Sequence, residues 1–395
     1  MKIGLVGKPN VGKSTFFAAA TLVDAAIGNY PFTTIKPNHG VGFVRVADPG
    51  ADLKVQSNPK HGKLVGATRY VHVELVDVAG LVPGASQGRG LGNQFLSDLN
   101  PADALLHIVD ATGGTDAEGN SVPAGTRDPL EDVRFLEMEM DAWIEGILRD
   151  GWDRLAKQSQ ATVRKAEAIL AERLGGIGVT EPIAAKALRD TGHAGAKLID
   201  LTPHLAALAH AVRKAAKPIV VVLNKADAVK PDALARLEAG IQSPTVRASA
   251  QSELALAKGA QAGLLDYTGG AGSFTPKAAL NPAQQKGLDY IRDHVLAPLG
   301  STGVHAALEA AVFQLLGRIP VFPVEDEAKL TDKDGRVLPD CHLVPAGTTA
   351  KQLAAKVHTD LAEHFIRAID CRTHRTIGAE HELKAGDVVK IVAKA

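Results

Sequence analysis

The stretch Gly7-Lys8-Pro9-Asn10-Val11-Gly12-Lys13-Ser14-Thr15 restricts what this chain can fold into more than any other. It fits G-x-x-x-x-G-K-[ST], the phosphate-binding P-loop. Its flanks fit as well, with Lys2-Ile3-Gly4-Leu5-Val6 reading as a short buried strand and Thr15 to Leu22 as the helix behind the loop. Gly7 and Gly12 let the backbone curl so that successive N–H groups, from Asn10 through Thr15, face phosphate oxygens at the positive end of a helix. Lys13 would bridge the β- and γ-phosphates, and the Ser14 hydroxyl would ligate Mg²⁺. The loop alone does not specify the nucleotide.

At 395 residues the chain is too long for one ordinary core, so two or three domains are expected. Apolar residues make up 45% and charged residues 22%, the composition of a soluble globular protein. Lys+Arg and Asp+Glu are equal at 44 each, so bulk charge points to no nucleic-acid partner, and any such contact must come from a local patch. Cys341 and Cys371 make no disulfide framework and lack metal-site spacing, and are read as reduced packing residues. A strand beginning at residue 2 leaves no room for a signal peptide, and no apolar run approaches the length of a membrane span. The expected setting is cytoplasmic.

Three further motifs follow the P-loop in order. Gly28 to Asn38 has turn formers at both ends and carries Thr34, with Thr33 as the alternative, where nucleotide switches place a second Mg²⁺ ligand and γ-phosphate sensor. Arg69 to Val76 alternates as a half-buried strand and runs into Asp77-Val78-Ala79-Gly80, a D-x-x-G. Asp77 would hold Mg²⁺ through water and the Gly80 N–H would touch the γ-phosphate. Leu81 follows, where a water-orienting glutamine would stand in Ras-like switches; the expected intrinsic rate is slow. Gln87 and Arg89 lie in the glycine-rich stretch after it, as solvated loop residues or as groups that swing toward the γ-phosphate. Two buried strands come next, Ala104 to Asp110, with His107 as a core histidine, and Lys217 to Leu223.

The second of these ends at Asn224-Lys225-Ala226-Asp227. The Asp227 carboxylate can accept from the N1–H and 2-amino group of guanine, whereas adenine offers neither donor and meets it with an acceptor. The Lys225 stem can lie over the base, and Asn224 can tie this loop to the P-loop. Ser249 and Ala250, after another short strand, supply the backbone N–H for guanine O6.

Between those two strands about a hundred residues look helical. Val133, Leu136, Met140, Trp143 and Ile147 mark one apolar face of an acidic helix, and the basic stretch 154–173 suggests its antiparallel partner, stopped at Gly175-Gly176. From about residue 318 the pattern turns β-rich: strands at 319–324, 338–343, 365–371 and 388–392, and a helix from the Thr349/Gln352 capping box to about His364. His342, His358, His364, His374 and His381 show no metal-ligand spacing and are read as surface residues.

Taken together, Gly7 to Thr15, Tyr30-Pro31-Phe32-Thr33-Thr34, Asp77-Val78-Ala79-Gly80-Leu81 with Pro83-Gly84-Ala85, and Asn224 to Asp227 resemble the Obg-related YchF-type GTPases over nearly the whole chain. The tail, with Leu338-Pro339-Asp340, Gly347-Thr348-Thr349 and Gly386-Asp387-Val388-Val389, resembles a TGS domain. The resemblance implies an α/β fold: a Ras-like P-loop G domain (1–127 and 211–317), a helical, coiled-coil-like insertion (128–210) and a C-terminal β-grasp TGS domain (318–395). It implies slow GTP hydrolysis with Mg²⁺ held by Ser14, Thr34 and Asp77, and with Lys13, Thr34 and Gly80 on the γ-phosphate. It also implies a ribosome or RNA partner reached through the helical insertion and the TGS domain, with no membrane. Bacterial and eukaryotic members carry an altered guanine motif and use ATP, whereas the intact Asn224 to Asp227 here resembles the archaeal branch and favours GTP. By the same resemblance Asn10 is a candidate K⁺ ligand. The alternatives are an ATPase of the same family, or a nucleotide-gated RNA- or ribosome-binding module in which hydrolysis is incidental.

Overall fold

The computed structural model describes residues 1–22, 38–78, 99–160 and 164–394. They group into two compact units: 1–22, 38–40 and 74–307 in the first, 41–73 and 308–394 in the second.

The first unit is built on apolar runs that suit a sheet covered on both faces. Strands β1 (Lys2–Val6), β5 (Ala104–Asp110) and β6 (Ile219–Asn224) are buried almost throughout. β1 pairs in parallel with β5 and with the end of β4 (Thr68–Asp77), β5 with β6, and β6 with β7 (Thr245–Arg247). The sheet of the first unit thus runs from the end of β4 through β1, β5 and β6 to β7, while the start of β4, β3 (Lys63–Val65), which pairs antiparallel with it, and all but the first two residues of β2 (His39–Ala47) belong to the second unit. In a parallel sheet the carboxyl ends of the strands share one edge, where open α/β sheets bind their ligands. The P-loop, Asp77, Asp110, Asn224 and Ser249 all follow such strand ends. A two-residue hairpin, β8 (Leu265–Asp266) with β9 (Thr275–Pro276), stands apart from this sheet.

The helical insertion is present, but its pairing differs from the expectation. The acidic helix runs Pro129–Arg149, with the Asp128 carboxylate accepting from the Leu130 N–H and Pro129 in the first turn. Its buried stripe is Val133, Leu136, Met140, Ile144 and Leu148, while Trp143 and Ile147 are half-buried. Its partner is the helix Leu205–Ala216 and not the adjacent basic stretch. Ile144 and Leu148 share a buried cluster with Leu205, Leu208, Ala209 and Val212, and a buried cation joins the two helices as well. Arg213, 3% exposed, lies 2.6 Å from Asp141 and 3.5 Å from Glu137, and His210 lies 2.8 Å from Asp141. The basic stretch instead forms two short helices, Trp152–Ser159 and Ala166–Leu174. Arg173 of the second donates to the carbonyls of Ile147 and Asp150, satisfying the end of the acidic helix. A 3₁₀ turn, Gly175–Ile177, follows where the glycine pair predicts a stop.

The second unit holds a five-stranded sheet, β11-β10-β14-β12-β13. Its strands are β10 (Arg318–Val324), β11 (His342–Pro345), β12 (Phe365–Asp370), β13 (Arg375–Ile377) and β14 (Val388–Ala393). The capping box of Thr349 and Gln352 opens a helix that ends at Val357, short of His364. His358 is extended and starts a second helix, Thr359–Glu363, with its ring accepting from the Asp360 N–H. β11 begins four residues later than expected, because Leu338 adopts a left-handed φ of 45° that breaks an extended run. His342 is half-buried, and burial lowers its pKa; the other four histidines of this region are exposed. Cys341 and Cys371 are free thiols, pushed by burial to about 12 and about 11, which leaves them protonated packing residues.

Among the described residues one run, 282–315, passes for a membrane span by length and hydropathy alone. Gly300 breaks it with a φ of 76°, and 61% of its most apolar window is buried, as in a core helix.

Candidate functional site

The P-loop geometry follows from its two glycines. Gly7 takes φ 150° with its backbone against β5, where a Cβ would sit 2.5 Å from the Ile108 carbonyl. Gly12 takes φ 95°, and a Cβ there would collide with the Asn224 amide. Both conformations are ones that side chains resist. Behind the loop the helix Lys13–Leu22 buries Phe16, Ala19 and Ala20 and leaves the Ser14 side exposed.

Lys13 reaches across the loop, its Nζ donating to the Val78 carbonyl at 2.5 Å and standing 3.4 Å from Asp77 Oδ1. That carboxylate oxygen is buried and has no hydrogen bond among the described residues. A buried carboxylate oxygen without a hydrogen-bond donor among the described residues suits a hard divalent cation that takes oxygen ligands. Lys13 and Asp77 are thus brought together and Ser14 stands exposed in the first turn of the helix, whereas Thr33, Thr34, Gly80, Leu81, Gln87 and Arg89 lie outside the described residues.

Asn224 is the knot of the nucleotide side. It is 2% exposed, its Nδ2 donates to the Val11 carbonyl at 2.9 Å, and its Oδ1 accepts the Ala250 N–H at 3.1 Å. One buried amide therefore fixes the P-loop and the Ser249–Ala250 loop to the end of β6. The Ala226 N–H also donates to the Ala248 carbonyl, and the Ser249 N–H to the Thr302 carbonyl. Lys225, with φ 59°, sends its ammonium back to Asp110 Oδ2 at 2.8 Å and to the Asn10 carbonyl at 3.2 Å, so its stem spans the gap between the loops. Asp227 follows on the 3₁₀ turn Ala226–Ala228, half-exposed, and accepts from the Tyr290 hydroxyl.

Several of these partners escape sequence reading. Asp110 anchors Lys225, and the only signal for it is its place at the end of a buried strand. Lys8, a variable position of the P-loop motif, is 8% exposed; its Nζ lies 2.6 Å from Asp132 and donates to the Thr115 carbonyl. Asn10, with φ 63°, donates its amide to the Gly119 carbonyl at 2.8 Å. Residues 113–132 thus brace the outer side of the loop. His107 lies in this region as a core residue; burial, and secondarily the Lys8 ammonium, hold its pKa at about 3, so it is neutral and no proton donor at ordinary pH. No cluster of His, Cys, Asp and Glu able to hold a metal occurs among the described residues, so a cation here would depend on hydroxyl and phosphate oxygens as well as Asp77.

Comparison with known proteins identifies the family. Residues 2–134 match the family model described as 50S ribosome-binding GTPase, residues 222–326 the G4 motif-containing domain of the Obg-like, YGR210-like GTPases, and residues 329–393 the TGS domain. An uncharacterized GTP-binding protein of Methanocaldococcus jannaschii is 45% identical over 397 residues, covering 100% of this chain and 99% of the relative. The crystal structure of a GTP-binding protein from Pyrococcus horikoshii is 39% identical, covers 100% of both chains and superposes with a TM-score of 0.81. The ribosome-binding ATPase YchF of Haemophilus influenzae is 42% identical over 139 residues, 35% of this chain and 36% of its own. This chain belongs to the Obg-like, YchF-type family of GTPases.

Proposed function

We infer that the protein is a cytoplasmic, ribosome-associated switch that binds GTP through Asn224, Lys225 and Asp227 and hydrolyses it slowly to GDP and phosphate. The observation that carries this is the Asn224 bridge: one side chain ties the phosphate loop to both base-reading loops, so base recognition and phosphate placement are parts of one rigid site. The backbone N–H groups expected to meet guanine O6 are engaged within the protein, Ala250 donating to Asn224 Oδ1 and Ser249 to the Thr302 carbonyl, so the contact with O6 is not formed by a free donor in this structure.

Phosphoryl transfer to water asks little covalent chemistry of a protein; positioning and charge stabilisation carry it. Backbone N–H groups from Asn10 to Thr15 hold the phosphates, and Lys13 places its charge where the β–γ bridging region lies. Ser14 and Asp77 would hold Mg²⁺, together with Thr34, and that ion would neutralise charge developing on the phosphate oxygens. Leu81 offers the attacking water no hydrogen bond, so the isolated protein turns over slowly and a partner accelerates it. Support for a ribosomal or RNA partner comes from the bacterial relative named as ribosome-binding and from the TGS unit, whose β12–β13 hairpin exposes Arg367, Arg372 and Arg375.

Calorimetric titration with GDP and ADP in Mg²⁺ tests the base assignment. Wild type binds GDP more tightly, and Asp227→Ala weakens GDP about 30-fold while changing ADP little, the loss of two hydrogen bonds to a charged group discounted for solvent access. Equal or tighter ADP binding by wild type moves the protein to the ATPase reading. A Lys13→Ala variant that still supports the cellular role would favour the nucleotide-gated binding module.

Asn10 gives a separate expectation. Its amide nitrogen is committed to Gly119, which leaves Oδ1 as an acceptor on the exposed rim of the phosphate loop. Hydrolysis is expected to be several-fold faster in K⁺ than in Na⁺, and Asn10→Ala removes the difference. Rates that are the same in both salts would take K⁺ out of the site.

A further inference from the structure

Asp227 reaches the base edge from a short turn, with two side-chain torsions free to rotate. Bidentate recognition of guanine needs both carboxylate oxygens in the plane of the base. The one side chain among the described residues that hydrogen-bonds Asp227 comes from 63 residues further along: the Tyr290 hydroxyl donates to Oδ2 at 3.1 Å. Lys225 cannot serve as the counter-ion, because its ammonium is bound to Asp110 and the Asn10 carbonyl.

The placement of Tyr290 is built into its helix. Pro282–Ile291 opens with Asn281 and Gln284 in a reciprocal capping box and with Pro282 in the first turn. Leu288 and Ile291 are buried in a cluster with Leu256, Leu265 and Val295. Tyr290 lies between those two in sequence and faces away from that cluster, 42% exposed. One turn later His294 packs on its ring, with centroids 4.6 Å apart and planes at 40°. The ring is thus braced from one side, with its hydroxyl set on the recognition carboxylate.

We propose that Tyr290 is a specificity-positioning residue of the guanine subsite, holding one oxygen of Asp227 so that the carboxylate presents its edge to the N1–H and 2-amino group of the base. The proposal rests on the guanine-reading role of Asp227. A carboxylate oxygen has a second lone pair, so Oδ2 can accept from Tyr290 and from the base together. The same restraint sharpens rejection: a pinned carboxylate cannot turn aside from the acceptor that adenine presents, and the unrelieved repulsion discriminates. Desolvation, with the Asp227 charge second, raises the Tyr290 pKa above its ordinary value, so the phenol remains a donor throughout the physiological range.

The test is calorimetric titration of GDP, IDP and ADP, each with Mg²⁺, into wild type, Tyr290→Phe, Asp227→Ala and the double variant. IDP keeps N1–H and lacks the 2-amino group. Tyr290→Phe is expected to weaken GDP about 3- to 10-fold, to narrow the GDP/IDP and GDP/ADP ratios, and to leave ADP no weaker, tightening it where the released carboxylate turns aside from the base. In the Asp227→Ala background it should change GDP binding by less than twofold, since the group it acts through is gone. Unchanged ratios, equal weakening of all three nucleotides, or a loss that persists without Asp227 would each reduce Tyr290 to a surface staple. A wild type with no guanine preference would remove the Asp227 reading and this one with it, whereas a guanine-selective wild type with a silent Tyr290→Phe removes only this one. Thermal unfolding of Tyr290→Phe, measured without nucleotide, separates the effects: a staple lowers the melting temperature and leaves selectivity alone.

Discussion

Lys13→Ala lowers the rate of GTP hydrolysis about 10²- to 10³-fold, the loss expected on removing one preorganised charge from the transferring phosphoryl group. The geometry gives the reason. Lys13 Nζ is held between the Val78 carbonyl at 2.5 Å and Asp77 Oδ1 at 3.4 Å, both on the segment that leaves β4. A group already ordered there reorganises little when charge builds on the phosphate oxygens. Alanine removes that charge and leaves Asp77 facing the phosphates with less compensation, so GDP binding weakens too. The side chain is only partly buried, so the fold survives and the melting temperature should move little. Because Leu81 predicts a slow wild-type rate, the comparison is best made under single-turnover conditions, as phosphate released from enzyme-bound GTP. Lys13→Arg does not rescue, since a bulky planar fork with its charge spread over three nitrogens does not reproduce the compact point charge of the ammonium between the β- and γ-phosphates. A Lys13→Ala rate within threefold of wild type would remove phosphoryl transfer from this loop.

How legible the molecule is in its sequence depends on the range of the interaction. The P-loop is written in neighbouring residues, because Gly7 and Gly12 shape a backbone only a few residues long. Asn224 to Asp227 is legible for the same reason, and the buried β1, β5 and β6 are plain as apolar runs. The acidic helix is also visible in its three- and four-residue steps. Its partner is not, because the residues that meet it lie far along the chain: Leu205, Leu208 and Val212 share a buried cluster with Ile144 and Leu148, and Arg213 reaches Asp141 from 72 residues away. Charge sign favours the adjacent basic stretch and carries no record of that longer-range packing. Lys8–Asp132, Lys225–Asp110 and Tyr290–Asp227 are likewise contacts between distant segments, with no local pattern to announce them. Local spacing reports which chemistry is present, and the tertiary fold reports which groups restrain it.

Residues 41–73 show the same lesson at the scale of a unit. They follow the P-loop half of the chain, yet they group with the C-terminal residues 308–394. Within this segment lies a buried ion pair: Arg69, 1% exposed, and Asp48, 5% exposed, are 2.6 Å apart. The Gly50 N–H and the Ser57 hydroxyl also donate to Asp48 Oδ1. The Arg69 guanidinium sits over the Phe322 ring, 5.2 Å from its centroid, and links these residues to β10. Around this cluster the Asn58 N–H donates to the Val337 carbonyl, and Arg45 forms a paired contact with Glu309.

Arg69→Ala is therefore expected to destabilise the second unit by about 3–5 kcal/mol, the usual consequence of stranding one partner of a buried ion pair. Part of the loss is the volume once filled against Phe322, and part is the Asp48 charge left with only neutral donors. Equilibrium urea unfolding, followed by a probe confined to residues 308–394, measures the shift in midpoint. The pair Arg69→Met with Asp48→Asn separates the two contributions. Asparagine keeps an acceptor for Gly50 and Ser57, methionine restores most of the volume, and both charges are gone, so the double variant should recover to within about 1–2 kcal/mol of wild type. If it is as unstable as Arg69→Ala, the guanidinium's contact with Phe322 is what holds residues 41–73 to β10, and the ion pair contributes little. If Arg69→Ala itself leaves the midpoint unmoved, neither interaction organises this unit. The double variant is expected to recover because desolvating a pair so completely costs about as much as its attraction returns, while the isolated Asp48 charge has no such compensation.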